Sequence, residues 1–246
     1  MIAHRTTDGE NELHIRIMAR MILLVFGALF ASLAWADRPP SVYLEGKTEI
    51  GVVLLHGHGG TADGNVVGPL MRMFNTEFGY HTLSLDLPQV TGASAGPQLA
   101  TAYAPRYPEV EKLIEQGINY LARQKNVKTL YLVGFSAGAR MMTAYLAKHP
   151  DQTFGGYVSV STSCGGPQPM DSNDNLRRVT VPVLDIYGTG SPPDLNCAAG
   201  RKKLPETMQR YTVVQVAGAP HNFRGYETQL TPLVADWLRA LNAVEK

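Results

Sequence analysis

The chain has 246 residues, of which 44% are hydrophobic and 17% are charged, and its formal net charge is +1. This composition excludes a disordered chain, and the length suits one or two domains with a core of ordinary size. The basic residues are scattered along the sequence, so the charge pattern indicates neither a nucleic-acid track nor a polybasic membrane patch, and the expected partner is a small neutral molecule.

The amino terminus has the pattern of an export signal. An almost uninterrupted apolar run, Met21 to Leu33, is followed by the alanines of Ala34-Trp35-Ala36, which suit a signal peptidase. We therefore expect residues 1–36 to be a signal peptide, and residues 37–246 to form a single mature domain in the periplasm or outside the cell.

Two further expectations concern the same segment. Residues 1–17 carry three acids, which is unusual for the charged start of a signal peptide, so Met18 is a candidate for the true start. The apolar run is shorter than the ~20 residues that span a bilayer, and no later run is longer, so we expect no integral span in the mature chain. An uncleaved anchor is the alternative.

The mature region alternates short apolar segments with amphipathic ones. Six apolar segments bounded by Gly, Pro or Asp are predicted as buried strands: Val52 to Leu55, Thr82 to Leu85, Leu130 to Val133, Tyr157 to Val160, Val181 to Ile186 and Tyr211 to Val216. Helices are predicted at about 65–78, 108–123, 137–148, 201–210 and 226–241. This order predicts an α/β fold with a doubly wound, mostly parallel sheet and helices on both faces.

Two segments are longer than a plain crossover needs. Pro88 to Tyr107 is rich in Gly, Ala, Ser and Pro, and Thr162 to Arg178 is also irregular. Long loops at the carboxyl edge of a parallel sheet commonly line a ligand crevice, so we expect both segments to form walls of the substrate site. For Pro88 to Tyr107, a solvated loop without contact to a substrate is the alternative.

The pentapeptide Gly134-Phe135-Ser136-Ala137-Gly138 joins a predicted strand to a predicted helix. In so tight a turn, a side chain at either glycine would collide with neighbouring backbone, and the serine between them is strained with its hydroxyl pointing outward. The following helix directs free N–H groups and its positive dipole end at the place where an oxyanion forms. Ser136 is therefore a candidate nucleophile, and a glycine-capped turn without a catalytic role is the alternative.

The only two cysteines are Cys164 and Cys197. In an exported chain a pair of thiols tends to be oxidised, so we expect a disulfide between them. Both cysteines are predicted in loops that follow strands, at the sheet edge that also carries Ser136. Two free buried thiols and a metal pair are the alternatives.

From about Gly51 to Leu241 the chain resembles the α/β-hydrolase family, with three motifs in the family's order. The first motif, Val52 to Gly60, is similar to the family's first strand and its oxyanion loop. The resemblance implies that the backbone amides of His58 and Ala137 bind an oxyanion, and that His56 is structural. A role for the side chain of His58 is the alternative.

The other two motifs supply a nucleophile and a base. The second is the turn at Ser136, whose hydroxyl needs a base within hydrogen-bond reach to become nucleophilic. In the third, the strand Val213 to Val216 leads into the loop Ala217 to Phe223, which ends shortly before the last helix. The resemblance implies that His221, in this loop, is the catalytic base. A surface histidine is the alternative.

The triad acid departs from the family's pattern. The acid usually follows the strand before that of the histidine, and here the usual slot after Ile186-Tyr187-Gly188 holds Ser191. We take Asp194 as the acid. Asp185, within an apolar strand, and Asp86, at the end of an earlier strand, are the alternatives.

The runs Gly79 to Pro88 and Pro182 to Gly188 also look like an uncharacterised group of bacterial α/β-hydrolases. The resemblance to the α/β-hydrolase family as a whole implies a serine hydrolase that cleaves a small ester, or a thioester or amide, through an acyl-enzyme intermediate and without a metal or organic cofactor. The alternative is a non-catalytic binding or scaffolding protein that keeps the fold, which the displaced acid favours.

Overall fold

The computed structural model describes residues 39, 41–93, 96–204 and 210–244. The expected signal peptide, residues 1–36, and the candidate start at Met18 lie outside the described residues. No helix in the described part of the chain is both long enough and apolar enough to cross a membrane.

One sheet organises the described chain. Its strands, in chain order, are β1 (Ser41–Leu44), β2 (Ile50–Leu55), β3 (His81–Leu85), β4 (Thr129–Phe135), β5 (Gly156–Val160), β6 (Val183–Gly188) and β7 (Tyr211–Val216). The spatial order is β1-β3-β2-β4-β5-β6-β7, and every pairing is parallel except the antiparallel pair β1 and β3. The predicted α/β class and mostly parallel sheet are therefore confirmed.

The edge strand β1 is the strand that the sequence pattern missed. All of its residues are only half-buried, so it lacks the continuous apolar run that marked the six predicted strands. The neighbouring strand β3, by contrast, is buried along its whole length. Continuous burial is expected where helices cover both faces of a sheet.

The helices are α1 (Val67–Phe78), α2 (Gly96–Tyr103), α3 (Tyr107–Asn119), α4 (Ala137–Lys148), α5 (Ser172–Leu176), α6 (Pro192–Ala199) and α7 (Glu227–Val244). A short 3₁₀ turn at Ala104–Arg106 precedes α3, and a π turn at Tyr120–Gln124 follows it. Packing of the helices against the sheet produces two hydrophobic layers. Along β2, Val53 and Leu55 pack into one layer, whereas Val52 and Leu54 pack into the other.

Two segments predicted as irregular and one predicted helix differ from the structure. The segments Pro88 to Tyr107 and Thr162 to Arg178 are not wholly irregular, because they contain α2 and α5. The glycine and proline of α2 suggested a loop, although proline is well tolerated in the first turn of a helix. The helix predicted at 201–210 begins with a turn at 201–203, and residues 205–209 lie outside the described part.

Candidate active site

The sharp turn between β4 and α4 holds Ser136 in a strained conformation. Its φ is 53° and its ψ is −114°, a region that non-glycine residues rarely adopt. A Cβ added to Gly134 would lie 2.4 Å from the Cα of Ala139, and one added to Gly138 would lie 2.4 Å from the carbonyl oxygen of Leu55. Both positions therefore require glycine.

Three side chains from distant parts of the sequence form a continuous hydrogen-bonded chain. His221 Nε2 lies 2.8 Å from Ser136 Oγ, and His221 Nδ1 lies 2.7 Å from Asp194 Oδ1. Because a carboxylate only accepts, Nδ1 carries the proton and Nε2 accepts the serine O–H. This is the geometry in which an imidazole can remove the proton of a serine nucleophile.

Asp194 lies in the first turn of α6, a helix that the sequence pattern did not predict. Ser191 is the N-cap residue of this helix, and Pro192 and Pro193 follow it at its start. Prolines are preorganised for the first helical turn, yet in the sequence they mark an irregular segment. The helix turns the carboxylate, which is 2% exposed, towards His221.

Backbone pairing continues beyond the ends of β6 and β7 and brings the two loops together. Thr189 N–H donates to the carbonyl of Val216 over 3.0 Å, and Gly190 N–H donates to the carbonyl of Ala219, also over 3.0 Å. The loop that carries His221 is thereby held beside the start of α6. This pairing explains how Asp194 reaches His221 although it lies three residues after Ser191, the position where the family usually has its acid.

Asp185 belongs to a buried ion pair away from His221. Its Oδ2 accepts hydrogen bonds from Arg201 Nε and from the hydroxyl of Tyr211, each at 2.8 Å. Burial alone would lower the pKa of Arg201, but the adjacent Asp185 carboxylate raises that pKa overall. The third acid that the sequence offered, Asp86, is exposed, and it accepts the N–H of Ala62 over 3.1 Å.

The ring of His56 clamps the loop after β2. Its Nε2 accepts the N–H of Leu87 over 3.0 Å, so the proton resides on Nδ1, which donates to the carbonyl of Gly57 over 2.7 Å. Burial lowers the pKa of His56, and the ring therefore stays neutral at neutral pH. These contacts agree with a structural role for His56.

The same loop is held at two further points. Gly60 N–H donates to the carbonyl of Gly57 over 3.1 Å, and Gly59 N–H donates to Gln89 Oε1 over 2.9 Å. Neither the N–H of His58 nor that of Ala137 has an acceptor within the described residues. Both amides are therefore available as donors, as the expected oxyanion role requires.

A cavity of about 460 Å³ opens beside Ser136 and His221. Its apolar wall consists of Val66, Val67, Leu99, Phe135 and Pro193, and its polar wall includes His58, Thr61, Asn65, Ser163 and Asn222. Both irregular segments contribute, through Leu99 and Ser163. Within the described part of the chain, no Lys or Arg lines this cavity.

A buried arginine, which the sequence analysis missed, holds one wall of the cavity. Arg140 lies one turn after Ser136 on α4 and is 2% exposed. Its guanidinium donates to the carbonyl of Cys164 over 3.1 Å and also to those of Gly165 and Met170. Burial lowers the pKa of Arg140 to about 10, so the group stays charged at neutral pH. An arginine among the apolar residues of the first two turns of α4 was the available signal.

A disulfide joins Cys164 and Cys197, whose Cα atoms lie 5.3 Å apart. Both residues line the cavity. Cys197 does not lie in a loop, as expected, but on α6, three residues after Asp194. The bridge therefore ties the helix of the carboxylate to the loop that Arg140 holds.

Reduction of this disulfide is expected to destabilise the fold by about 2–5 kcal/mol, because the bridge restricts the unfolded chain. The melting temperature should fall by roughly 5–15 °C. Melting with and without reductant, together with mass spectrometry of the alkylated, non-reduced protein, provides the measurement. A Cys164→Ser/Cys197→Ser double variant is the control and should not respond to reductant. Two alkylated cysteines in protein from an oxidising compartment would contradict the prediction.

A cluster of potential metal-ligating side chains lies between α3 and the end of α4. Ligand atoms of Glu111, Glu115 and His149 lie within 4.8 Å of one another. Glu111, however, already pairs with Lys148 at 2.7 Å and with His149 Nε2 at 2.8 Å. These contacts describe a surface ion-pair network and do not by themselves indicate a bound metal.

Comparison with known proteins identifies the architecture. The profile of a family described as the alpha/beta hydrolase fold matches residues 51–187. No curated protein sequence is significantly similar to the chain.

Among solved structures, Est1E from Butyrivibrio proteoclasticus is similar with a TM-score of 0.62 and 14% identity, over 84% of this chain and 90% of that one. A monoacylglycerol lipase from Paleococcus ferrophilus has a TM-score of 0.59 and 16% identity, over 82% and 98%. A dienelactone hydrolase from Anabaena variabilis has a TM-score of 0.61 and 20% identity, over 80% and 89%. Similarity at this level shows the fold.

Proposed function

The chain belongs to the α/β-hydrolase fold family, whose profile covers more than half of its length, and from this premise we propose that it is an exported serine hydrolase. It cleaves a small, neutral ester through an acyl-enzyme intermediate, with a thioester or an amide as the alternative substrate. The single observation that carries the proposal is the hydrogen-bonded chain from Ser136 through His221 to Asp194 at a strained turn.

Acylation begins when Ser136 Oγ attacks the ester carbonyl carbon and His221 Nε2 takes the serine proton. Asp194 stabilises the imidazolium through Nδ1–H and keeps the ring in the productive orientation. The backbone amides of His58 and Ala137 donate to the oxyanion, with the positive end of the α4 dipole adding to their effect. When the tetrahedral intermediate collapses, the bond to the alkoxy group breaks and His221 returns its proton to the leaving alcohol.

Deacylation repeats the sequence with water as the nucleophile. His221 removes a proton from water, hydroxide adds to the acyl carbon, and collapse releases the carboxylic acid and restores the Ser136 hydroxyl. Two features support a small, neutral substrate: the cavity volume of about 460 Å³ and the absence of Lys and Arg from its described lining. The similar structures include a monoacylglycerol lipase and Est1E with bound ferulic acid, which is consistent with ester chemistry.

The non-catalytic alternative rested on the displaced acid. With the Asp194 carboxylate 2.7 Å from His221 Nδ1, that feature no longer favours it. Export is proposed from the signal-like residues 1–36, and the Cys164–Cys197 disulfide is compatible with an oxidising compartment.

Labelling with a fluorophosphonate probe tests the proposal, because only an activated serine reacts at a useful rate. We expect one label per chain, located on Ser136 by peptide mapping, and hydrolysis of short-chain p-nitrophenyl esters. Heat-denatured protein and a His221→Ala variant are the controls, and both should label far more slowly. A folded protein that neither labels nor hydrolyses any ester of the series would support the non-catalytic alternative.

A further inference from the structure

The side chain of His58 lies at the cavity with one ring nitrogen engaged behind it. His58 lines the cavity, and its Nδ1 lies 3.1 Å from the hydroxyl of Tyr103 on α2. The two rings meet edge to face, with their centroids 5.8 Å apart. Within the described residues, Nε2 of His58 has no hydrogen-bond partner.

Tyr103 determines which nitrogen of His58 carries the proton. Tyr103 is fully buried, and its hydroxyl has no other partner in the described part of the chain. Burial raises the pKa of Tyr103 to about 12, so the phenol keeps its proton at neutral pH. A buried donor left unpaired is costly, so the phenol O–H donates to Nδ1. The neutral ring then carries its proton on Nε2.

Nε2–H of His58 is therefore a donor on the cavity side of the ring. The two ring nitrogens point to different sides, and Nδ1 faces the buried Tyr103. Leu99, one helical turn before Tyr103 on α2, contributes to the apolar wall of the same cavity. A single helix thus supplies an apolar contact and orients a polar one, which is the combination that selects among small ligands.

We propose that His58 is a specificity-determining residue whose Nε2–H binds a neutral oxygen on the substrate; this inference rests on the function proposed above. The same residue offers its backbone amide to the oxyanion, so the recognised oxygen must lie within a few bonds of the scissile carbonyl. The preferred substrates are small esters that carry an ether, hydroxyl or carbonyl oxygen near the ester group. Tyr103 is a positioning residue that acts through His58.

Two pairs of esters of matched shape test the inference. In the first, p-nitrophenyl methoxyacetate is compared with p-nitrophenyl butyrate; in the second, 2-methoxyethyl acetate is compared with n-butyl acetate. The readout is kcat/KM of the oxygen-containing ester divided by kcat/KM of its hydrocarbon partner. Dividing this ratio for a variant by the same ratio for the wild type removes the intrinsic reactivity of the esters. A purely structural role for His58 would change both members of a pair equally and leave the ratio unchanged.

We expect His58→Phe to lower this ratio by about threefold to tenfold in at least one pair, since it removes one hydrogen bond. The pair that responds shows whether the oxygen lies on the acyl or the alcohol side. His58→Gln should restore part of the ratio, because its amide nitrogen can reach the position of Nε2, and Tyr103→Phe should lower it less than His58→Phe. Tyr145→Phe, which removes a buried hydroxyl bonded to Gln152 at 2.9 Å outside the cavity, is the matched control and should not change it.

Different outcomes would overturn the two proposals. An active wild-type protein whose ratios are the same in His58→Phe, in both pairs, would overturn the role of His58 and leave the serine hydrolase intact. A wild-type protein that hydrolyses none of the four esters and does not label at Ser136 would overturn the proposed function and this inference together.

Discussion

Replacing Ser136 with alanine is expected to lower ester hydrolysis by at least about a thousandfold, because loss of a nucleophile typically removes almost all catalysis by such a site. The fold should persist, since Ser136 makes no side-chain cap bond to α4 and the change removes one oxygen. Turnover of p-nitrophenyl esters and the melting temperature, measured on the same preparation, check the two halves of this prediction.

A Ser136→Gly variant is the matched control, because it also removes the hydroxyl but relieves the strain of a φ of 53°. It should be as inactive as the alanine variant and more stable than it by about 1 kcal/mol. Retention of more than about a tenth of the activity in Ser136→Ala would reject Ser136 as the nucleophile.

The second prediction assigns different roles to two buried carboxylates, Asp194 and Asp185. We expect Asp194→Asn to lower kcat by about 10²- to 10⁴-fold with little change in melting temperature, because an amide favours the wrong tautomer of His221. Asp185→Asn should instead destabilise the fold by about 3–5 kcal/mol, since it leaves the buried guanidinium of Arg201 without its counter-charge. Steady-state kinetics and thermal unfolding of both variants provide the comparison.

An Asp185→Asn/Arg201→Met double variant is the control for the stability effect. Removing both charges of a buried pair is often nearly neutral, so the double variant should recover most of the stability lost in Asp185→Asn. The opposite result, with kcat lost in Asp185→Asn and stability lost in Asp194→Asn, would transfer the role of the triad acid to Asp185.

Local patterns in the sequence were sufficient for the fold and for the tight turn that holds Ser136. Buried strands reveal themselves as short apolar runs, and the confirmed parallel sheet followed from their alternation with helices. The glycines around Ser136 indicated a tight turn, because the need to avoid a collision is local in sequence. His221 was singled out by the resemblance to the α/β-hydrolase family, from its position after the last strand, and its Nε2 lies 2.8 Å from Ser136 Oγ in the structure.

Other features were decided only by tertiary structure, because they depend on contacts between residues that are far apart in the chain. The α6 helix that presents Asp194 to His221 is short and begins with two prolines, so its sequence resembled a loop. The proton on Nε2 of His58 depends on a buried hydroxyl 45 residues away, and no local pattern encodes that contact. Sequence periodicity determines which residues are buried, whereas the path of the backbone determines which buried groups meet.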